Sequence, residues 1–439
     1  MLKAKYKTGL VFFPAFDWAI SPTHPEREER LLYTQDQVIE EGIFDIKGIK
    51  EFKPEPVSKK DVQRVHFCVP DVKSVMTESH FISAGGAKTI GSAVLNKQVQ
   101  KGFALVRPPG HHAMRVVRGA RGFCNVNIEA IMIEYLRTAF NKKKVAIVDT
   151  DCHHGDGTQD IYWHDSDTLF ISIHQDGRTL YPGSGSINEL GGPTAHGTTI
   201  NIPLPPNTSE KGFLYAINNV VMPILDDFKP DIIINSAGQD NHYTDPLTDM
   251  NFSAQGYAKL TEILQPDIAV LEGGYSIEGA LPYVNVGIIL SMAGIDYSKV
   301  KEPTYDPDSI AQSPEITRLI ENTCKQVLSF WQQRKKIKES RLRDLQKFDK
   351  RIRTIYYDTD DLLETQNEII HACSKCSGTI KIESSIKQGQ NICAVHIPIN
   401  ACKSCIDMGY QWFALADKNN KFDKIYLQDR PKDIFLEGK

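Results

Sequence analysis

Apolar positions fall in short uninterrupted blocks at residues 102–109, 145–149, 168–174, 232–238 and 268–274, each closing on or beside a Gly, Asp or His. Runs this short, apolar and β-branched, bounded by turn residues, predict strands buried on both faces. Residues 213–228 and 253–264 instead repeat their apolar side chains with a helical period. Strand, helix, strand in alternation predicts an α/β fold: a single mostly parallel sheet flanked by helices. Such sheets build their sites beyond the carboxyl ends of the strands. The polar, histidine-rich segments fall there: 108–112, 149–157, His174, 238–240 and 273–275.

Residues 313–331 predict one more helix, and 332–353 continue with dense charges of mixed sign, read as a solvated linker helix. Composition changes near Tyr356, where a cysteine-containing tail begins. The expected organisation is a large α/β domain over 1–335, a charged linker helix over 336–360 and a small cysteine-containing domain over 361–439.

Composition narrows the class. Hydrophobic residues make up 41% and charged residues 24% of the 439, with no low-complexity stretch, so a globular protein with a substantial core is expected. A net charge of -4 gives no general basic field for nucleic acid. Lys3, Lys5 and Lys7 precede an apolar run that Pro14 and Asp17 interrupt, well short of a secretory leader, and no stretch is long enough to cross a membrane. Nine cysteines, an odd number with one late cluster, suit reduced thiols and a metal site. The expectation is a cytoplasmic protein without membrane contact, with a nuclear location left open.

The chemistry concentrates in Val145-Ala-Ile-Val-Asp-Thr-Asp-Cys-His-His-Gly-Asp-Gly157. Period two along a strand puts Asp149, Asp151 and His153 on one face. Asp151 and His153 are ligand types for a borderline divalent metal, and Asp240, at the end of Asn235-Ser-Ala-Gly-Gln-Asp240, can supply a third. Three protein ligands leave an open position for water and a substrate carbonyl, as a hydrolytic site requires. An isolated Asp-x-His is a strand-end hydrogen-bonding pair. Here Arg107-Pro-Pro-Gly-His-His112 adds two histidines, Asp149 and Asp156 can orient them, and Glu272-Gly-Gly-Tyr275 adds a phenol on a flexible turn.

Together these residues resemble the histone deacetylase and acetylpolyamine amidohydrolase superfamily, from about Gly9 to the helix near Trp331. Gly9-Leu-Val-Phe and His24-Pro-Glu-Arg-Glu-Glu-Arg-Leu31 match its N-terminal signature. Arg107-Pro-Pro-Gly-His-His112 with Gly122-Phe-Cys-Asn125, the Asp151/His153 segment, Ala237-Gly-Gln-Asp240 with Asp245-Pro-Leu247, and Leu271-Glu-Gly-Gly-Tyr275 follow in the family's order. The resemblance implies the arginase/deacetylase fold and a zinc-dependent deacetylase. It implies a catalytic zinc or ferrous ion on Asp151, His153 and Asp240. His112 is then the proton shuttle, His111 its electrostatic partner, Asp149 and Asp156 their respective orienters, and Tyr275 the donor to the oxyanion. It also implies K+ beside that metal at Asp149, Asp151, His153, Ser172 and Ile173, and a substrate channel at Gly122, Phe123, Tyr181 and Leu247.

Leu247 stands where relatives that prefer polyamines can place a glutamate, and an apolar gate favours an acyl-lysine side chain. The implied substrate is therefore an acetylated protein or peptide. The alternatives are an acetylpolyamine or other small acetylated amine, and a non-catalytic acyl-lysine binding module, whose mark would be a lost ligand, base or tyrosine. Cys152 and Cys124 read as buried packing.

In the tail, Cys373-Ser-Lys-Cys376 and Cys402-Lys-Ser-Cys405 are two C-x-x-C knuckles, predicted to close a structural Zn2+ site of zinc-ribbon type with its knuckles on adjacent hairpins. Such segments commonly bind a protein or nucleic-acid partner, but residues 381–390 are too sparsely charged to decide between them or against both.

Overall fold

The computed structural model describes residues 2–344 and 348–438. In the first part, β1 (Lys3–Phe13), β2 (Lys47–Glu51), β3 (Phe67–Cys68), β4 (Lys101–Val106), β5 (Val116–Val117), β6 (Val145–Asp149), β7 (Thr168–Gln175), β8 (Thr199–Leu204), β9 (Ile232–Ser236) and β10 (Ile268–Val270) alternate with helices. Eight of them form one sheet in the order β2-β1-β4-β10-β9-β6-β7-β8, every adjacent pair parallel. β3 and β5 pair separately. All five apolar runs are strands of this sheet. Each face carries its own core, one around Leu105, Val148, Ile171 and Leu271, the other around Val106, Ile147, Phe170 and Ile234, which is why the runs lack polar alternation.

The central order β4-β10-β9-β6 positions the site. These parallel strands end on one edge of the sheet, so the segments that follow them, at 107–112, 271–275, 237–240 and 150–153, become neighbours despite their separation in sequence.

A second sheet follows: β11 (Phe348–Tyr357), β12 (Leu362–His371), β13 (Thr379–Ile386), β14 (Ile392–Ile397), β15 (Lys424–Asp429) and β16 (Ile434–Gly438), in sequential order. Neighbours are antiparallel except β14 and β15, which are parallel and joined through the helix Lys403–Asp417. That helix covers one face through Cys393, Val395, Ile397, Ala416 and Ile425. On the opposite face Ile370, Ile380, Ile382 and Tyr426 join Phe67, Val69 and Val116 of the first unit in one core.

Of the expected linker helix over 336–360, residues 336–344 are helical and 348–357 form a strand. The helix Pro314–Asp344 stops there, residues 345–347 lie outside the described residues, and β11 already belongs to the second sheet. The mixed charges that suggest a solvated helix include a period-two pattern: Arg351, Arg353, Ile355 and Tyr357 point inward while Lys350, Ile352, Thr354 and Tyr356 are exposed. The inward arginines are paired, Arg353 with Asp160 at 2.5 Å and Arg351 with Glu368 at 2.9 Å, which is what allows them to be covered.

Candidate functional site

Strand β6 ends at Asp149, so strand alternation does not carry as far as His153. The convergence comes instead from a hydrogen-bonded loop. Asp149 Oδ1 accepts from the Asp151 N–H (3.1 Å), Asp151 Oδ1 from the His153 N–H (2.8 Å), and Asp240 Oδ1 from the Cys152 N–H (2.7 Å). These bonds bring Asp151 Oδ1, Asp240 Oδ2 and His153 Nδ1 together. His153 Nδ1 lies 2.9 Å from Asp240 Oδ2 and 3.3 Å from Asp151 Oδ1. One ligand atom from each of the three residues lies within 4.8 Å of the others. Gly273 completes the cradle: its N–H donates to Asp151 Oδ2 at 2.7 Å, and a Cβ there would stand 2.4 Å from Asp240 Oδ2.

The electrostatics call for a cation. Asp151 and Asp240 are both fully buried. Burial and then the charge of Asp151 raise the Asp240 carboxyl. Burial would also raise Asp151, but His111 and His153 hold it well below the usual carboxylate range. Against its own burial, His153 is pushed up to about 10 by hydrogen bonds to the two carboxylates. Two facing carboxylates and a histidine nitrogen fit a divalent ion, which relieves the repulsion between the acids.

His111 and His112 follow β4, with ring centroids 4.1 Å apart. His111 Nδ1 is 3.2 Å from Asp149 Oδ2, and His112 Nδ1 is 2.8 Å from Asp156 Oδ1. The pairings expected from the sequence are thus the ones found. Their environments push the two rings apart. Against burial, Asp151 and Asp149 raise His111 well above its ordinary value. Burial, then the charge on His111, lowers His112 to about 3 despite Asp156. The carboxylates thus push one ring up while burial and its neighbour's charge push the other down.

Tyr275 lies 7% exposed, its backbone N–H donating to Asp245 Oδ2 at 2.7 Å. Burial holds its phenol well above its ordinary pKa, so it stays a donor. Its ring meets Phe123 edge to face at 5.7 Å between centroids. His112, Gly122, Phe123, His153, Leu180, Tyr181, Leu247, Tyr275 and Asp358 line one cavity of about 260 Å3. All the expected channel residues are there, with Tyr181 and Leu247 partly exposed at its mouth. Ser172 and Ile173 lie buried on β7, and Ser172 is the register partner of Asp149. Cys152 and Cys124 are buried, as packing residues should be.

In the C-terminal unit Cys373, Cys376, Cys402 and Cys405 bring their sulfurs within 4.8 Å of one another. Cys373 Sγ to Cys402 Sγ is 3.8 Å and Cys376 Sγ to Cys405 Sγ is 3.5 Å. Four thiolates about 2.3 Å from a tetrahedral zinc stand about 3.8 Å apart, so the cluster fits that ion closely. The first knuckle follows β12, but the second starts the helix Lys403–Asp417 rather than lying on a hairpin. Replacing Cys373 and Cys402 by Ser together is expected to remove one bound zinc per chain, measured by elemental analysis, and to make residues beyond 348 protease-sensitive, because the metal's binding energy contributes to the folding of its unit. Unaltered metal content and protease resistance would refute the structural site.

Several residues that shape the site escape a reading by motif. Glu272 is buried, accepts the N–H of Gly110 (2.7 Å) and of His111 (3.1 Å), and is pushed up to about 7 by burial. Glu26 binds Arg30 at 2.7 Å and Arg107 at 2.5 Å, all three fully buried. Arg30 in turn donates to the carbonyls of Gly274 (2.7 Å) and Glu272 (2.6 Å), fixing the turn that carries Tyr275. The charged N-terminal motif at 24–31 contains this brace, though nothing in its spacing names the partners. Arg121 pairs with Asp156, and Asp358 reaches the cavity from the second unit; no local pattern marks either.

Comparison with known proteins agrees with this geometry. The family model described as the histone deacetylase domain matches residues 24–285. A probable deacetylase of Archaeoglobus fulgidus is 44% identical over 67% of this chain and 89% of its own length. Histone deacetylase 15 of Arabidopsis thaliana is 34% identical over 58% of this chain and 50% of its own. Among solved structures, the HDA15 HD domain superposes with a TM-score of 0.65 at 27% identity, covering 77% of this chain and 99% of that one.

Proposed function

The chain belongs to the histone deacetylase family, and from that premise we propose that this hydrolase removes acetyl groups from acetyl-lysine side chains in proteins or peptides. The observation that carries the substrate reading is the cavity itself. It is walled by Phe123 and Tyr181, gated by apolar Leu247, and closed at its base by His112, His153 and Tyr275. Flat aromatic walls suit the methylene stem of a lysine, and the acetamide then reaches the polar floor.

A divalent ion held by Asp151, His153 and Asp240, zinc or ferrous iron, supplies when bound a Lewis acid toward the amide carbonyl and toward water. The remaining work falls to the chain's own groups. With Nδ1 engaged by Asp156, the neutral His112 offers Nε2 to take a proton from the attacking water and return it to the leaving amine. His111 stays charged beside it, held by Asp149. The Tyr275 phenol, kept protonated by burial, donates to the oxygen on which negative charge develops. Phe123, Tyr181 and Leu247 exclude water from the stem and orient it. K+ belongs to the same proposal: the pairing of Asp149 with Ser172 supports a shared site for it with Asp151, His153 and Ile173.

We take the catalytic unit to run to the end of the helix Pro314–Asp344 and the thiolate-zinc unit to begin at β11. Among the described residues no helix is long and apolar enough to cross a membrane.

The test is acetate release by the purified, metal-analysed protein from an acetyl-lysine peptide and from an acetylpolyamine, with a hydroxamate as inhibitor control. Hydroxamate-sensitive turnover favouring the peptide is expected. Preference for the polyamine would move the substrate to small amines, and absence of turnover with metal bound would replace catalysis by acyl-lysine binding.

A further inference from the structure

Residues 119–122, which lead into the channel wall Phe123, are gripped by the turn that joins β11 to β12. The Ala120 N–H donates to Asp360 Oδ2 at 2.6 Å, Arg121 Nε to the Tyr356 carbonyl at 3.1 Å, and the Gly122 N–H to Asp358 Oδ1 at 3.0 Å. Tyr181, the opposite wall, donates its hydroxyl to the same Asp358 Oδ1 at 3.1 Å. Gly119 permits the approach: a Cβ there would stand 2.2 Å from Asp360 Oδ2. Tyr356 braces the turn with a hydrogen bond to Asp361 Oδ1 at 2.8 Å. A residue from the second unit is thereby fixed in the lining of the cavity that holds His112 and Tyr275.

Both hydrogen bonds reach Oδ1 and come from neutral donors, so neither cancels the charge of Asp358. Among the described residues Oδ2 accepts none. The neighbouring cation, Arg121, is committed to Asp156 by an ion pair and is the guanidinium stacked over Tyr181 at 5.5 Å. A half-buried carboxylate held rigidly at a channel mouth, with one oxygen free, attracts a cation that arrives with the substrate.

We propose that Asp358 is a specificity-determining residue of the channel, selecting substrates that carry a protonated amine close to the acetylated one. The proposal rests on the amidohydrolase reading of the same cavity. The amine is a lysine or arginine next to the acetyl-lysine in a peptide, or the second nitrogen of a small acetylated diamine; the recognition chemistry is the same.

The experiment compares kcat/KM of the full-length holoenzyme on two acetyl-lysine peptides that differ only in having Lys or Gln beside the acetyl-lysine, with an acetylpolyamine as third substrate. At low salt the wild type is expected to favour the Lys peptide by about threefold to fivefold, the range of a partly exposed ion pair. The preference should fade as salt shortens the screening length below about 10 Å. Asp358→Asn keeps the acceptor for Gly122 and Tyr181 but loses the charge, and should bring the ratio to about one; Asp358→Glu should restore it. A loss confined to the acetylpolyamine would identify the small amine as the source of the cation. A wild-type ratio of one on the peptides with no polyamine preference, or a preference that survives in Asp358→Asn, overturns the proposal. Failure of the wild type to hydrolyse any of the three substrates would instead strike the amidohydrolase reading.

Discussion

Replacement of His112 by Ala is expected to lower kcat by about 10²- to 10⁴-fold, the range for loss of a positioned general base, while metal content and thermal stability stay close to wild type. Two observations set that size. His112 is the ring of the pair that burial and the neighbouring charge push down to about 3, so it has a lone pair available near pH 7. Its Nδ1 is fixed by Asp156 at 2.8 Å, which Arg121 in turn holds as a carboxylate far below its usual pKa against the effect of burial. Asp156→Asn should cost less, because the ring keeps its position and loses only the charge behind it. If His111→Ala proves the more damaging of the two histidine changes, the assignment of base and electrostatic partner is reversed. The measurement is single-turnover acetate release with metal analysis of each variant.

Much of this was legible in the sequence because it is local. The five central strands are apolar without alternation, which is the mark of a sheet covered on both faces, and all five are found. The donor residues sit directly after those strands, where a parallel sheet has to place its site. What sequence could not supply is geometry set by distant pairing. Asp149, Asp151 and His153 converge through hydrogen bonds within their loop and one from the Cys152 N–H to Asp240, not through strand alternation. The segment after Asp344 carries charges that look helical until the inward arginines of β11 are matched to Asp160 and Glu368. The bond from Arg30 to the Gly274 carbonyl, which braces Tyr275, links positions 244 residues apart, and the contact of Asp358 with Tyr181 links positions 177 apart. No spacing rule reaches so far; both depend on which surfaces meet once the sheets have formed.

The second large effect is expected at Tyr275. Tyr275→Phe removes one oxygen and leaves the ring, its edge contact with Phe123 and the backbone bond to Asp245 in place. Folding and the metal site should therefore be unaltered. The phenol nonetheless lines the same cavity as His112 and His153, and burial keeps it protonated. In a site closed to water, loss of a donor aimed at developing charge costs about 10²- to 10³-fold in kcat. The loss should appear in kcat far more than in KM, since the ground-state carbonyl needs the donor less than the oxyanion does. Equal losses in both parameters would mean that Tyr275 binds substrate rather than the transition state, and undiminished turnover would remove it from the chemistry altogether. A hydroxamate should still bind the variant through the metal, which separates a lost donor from a lost ion.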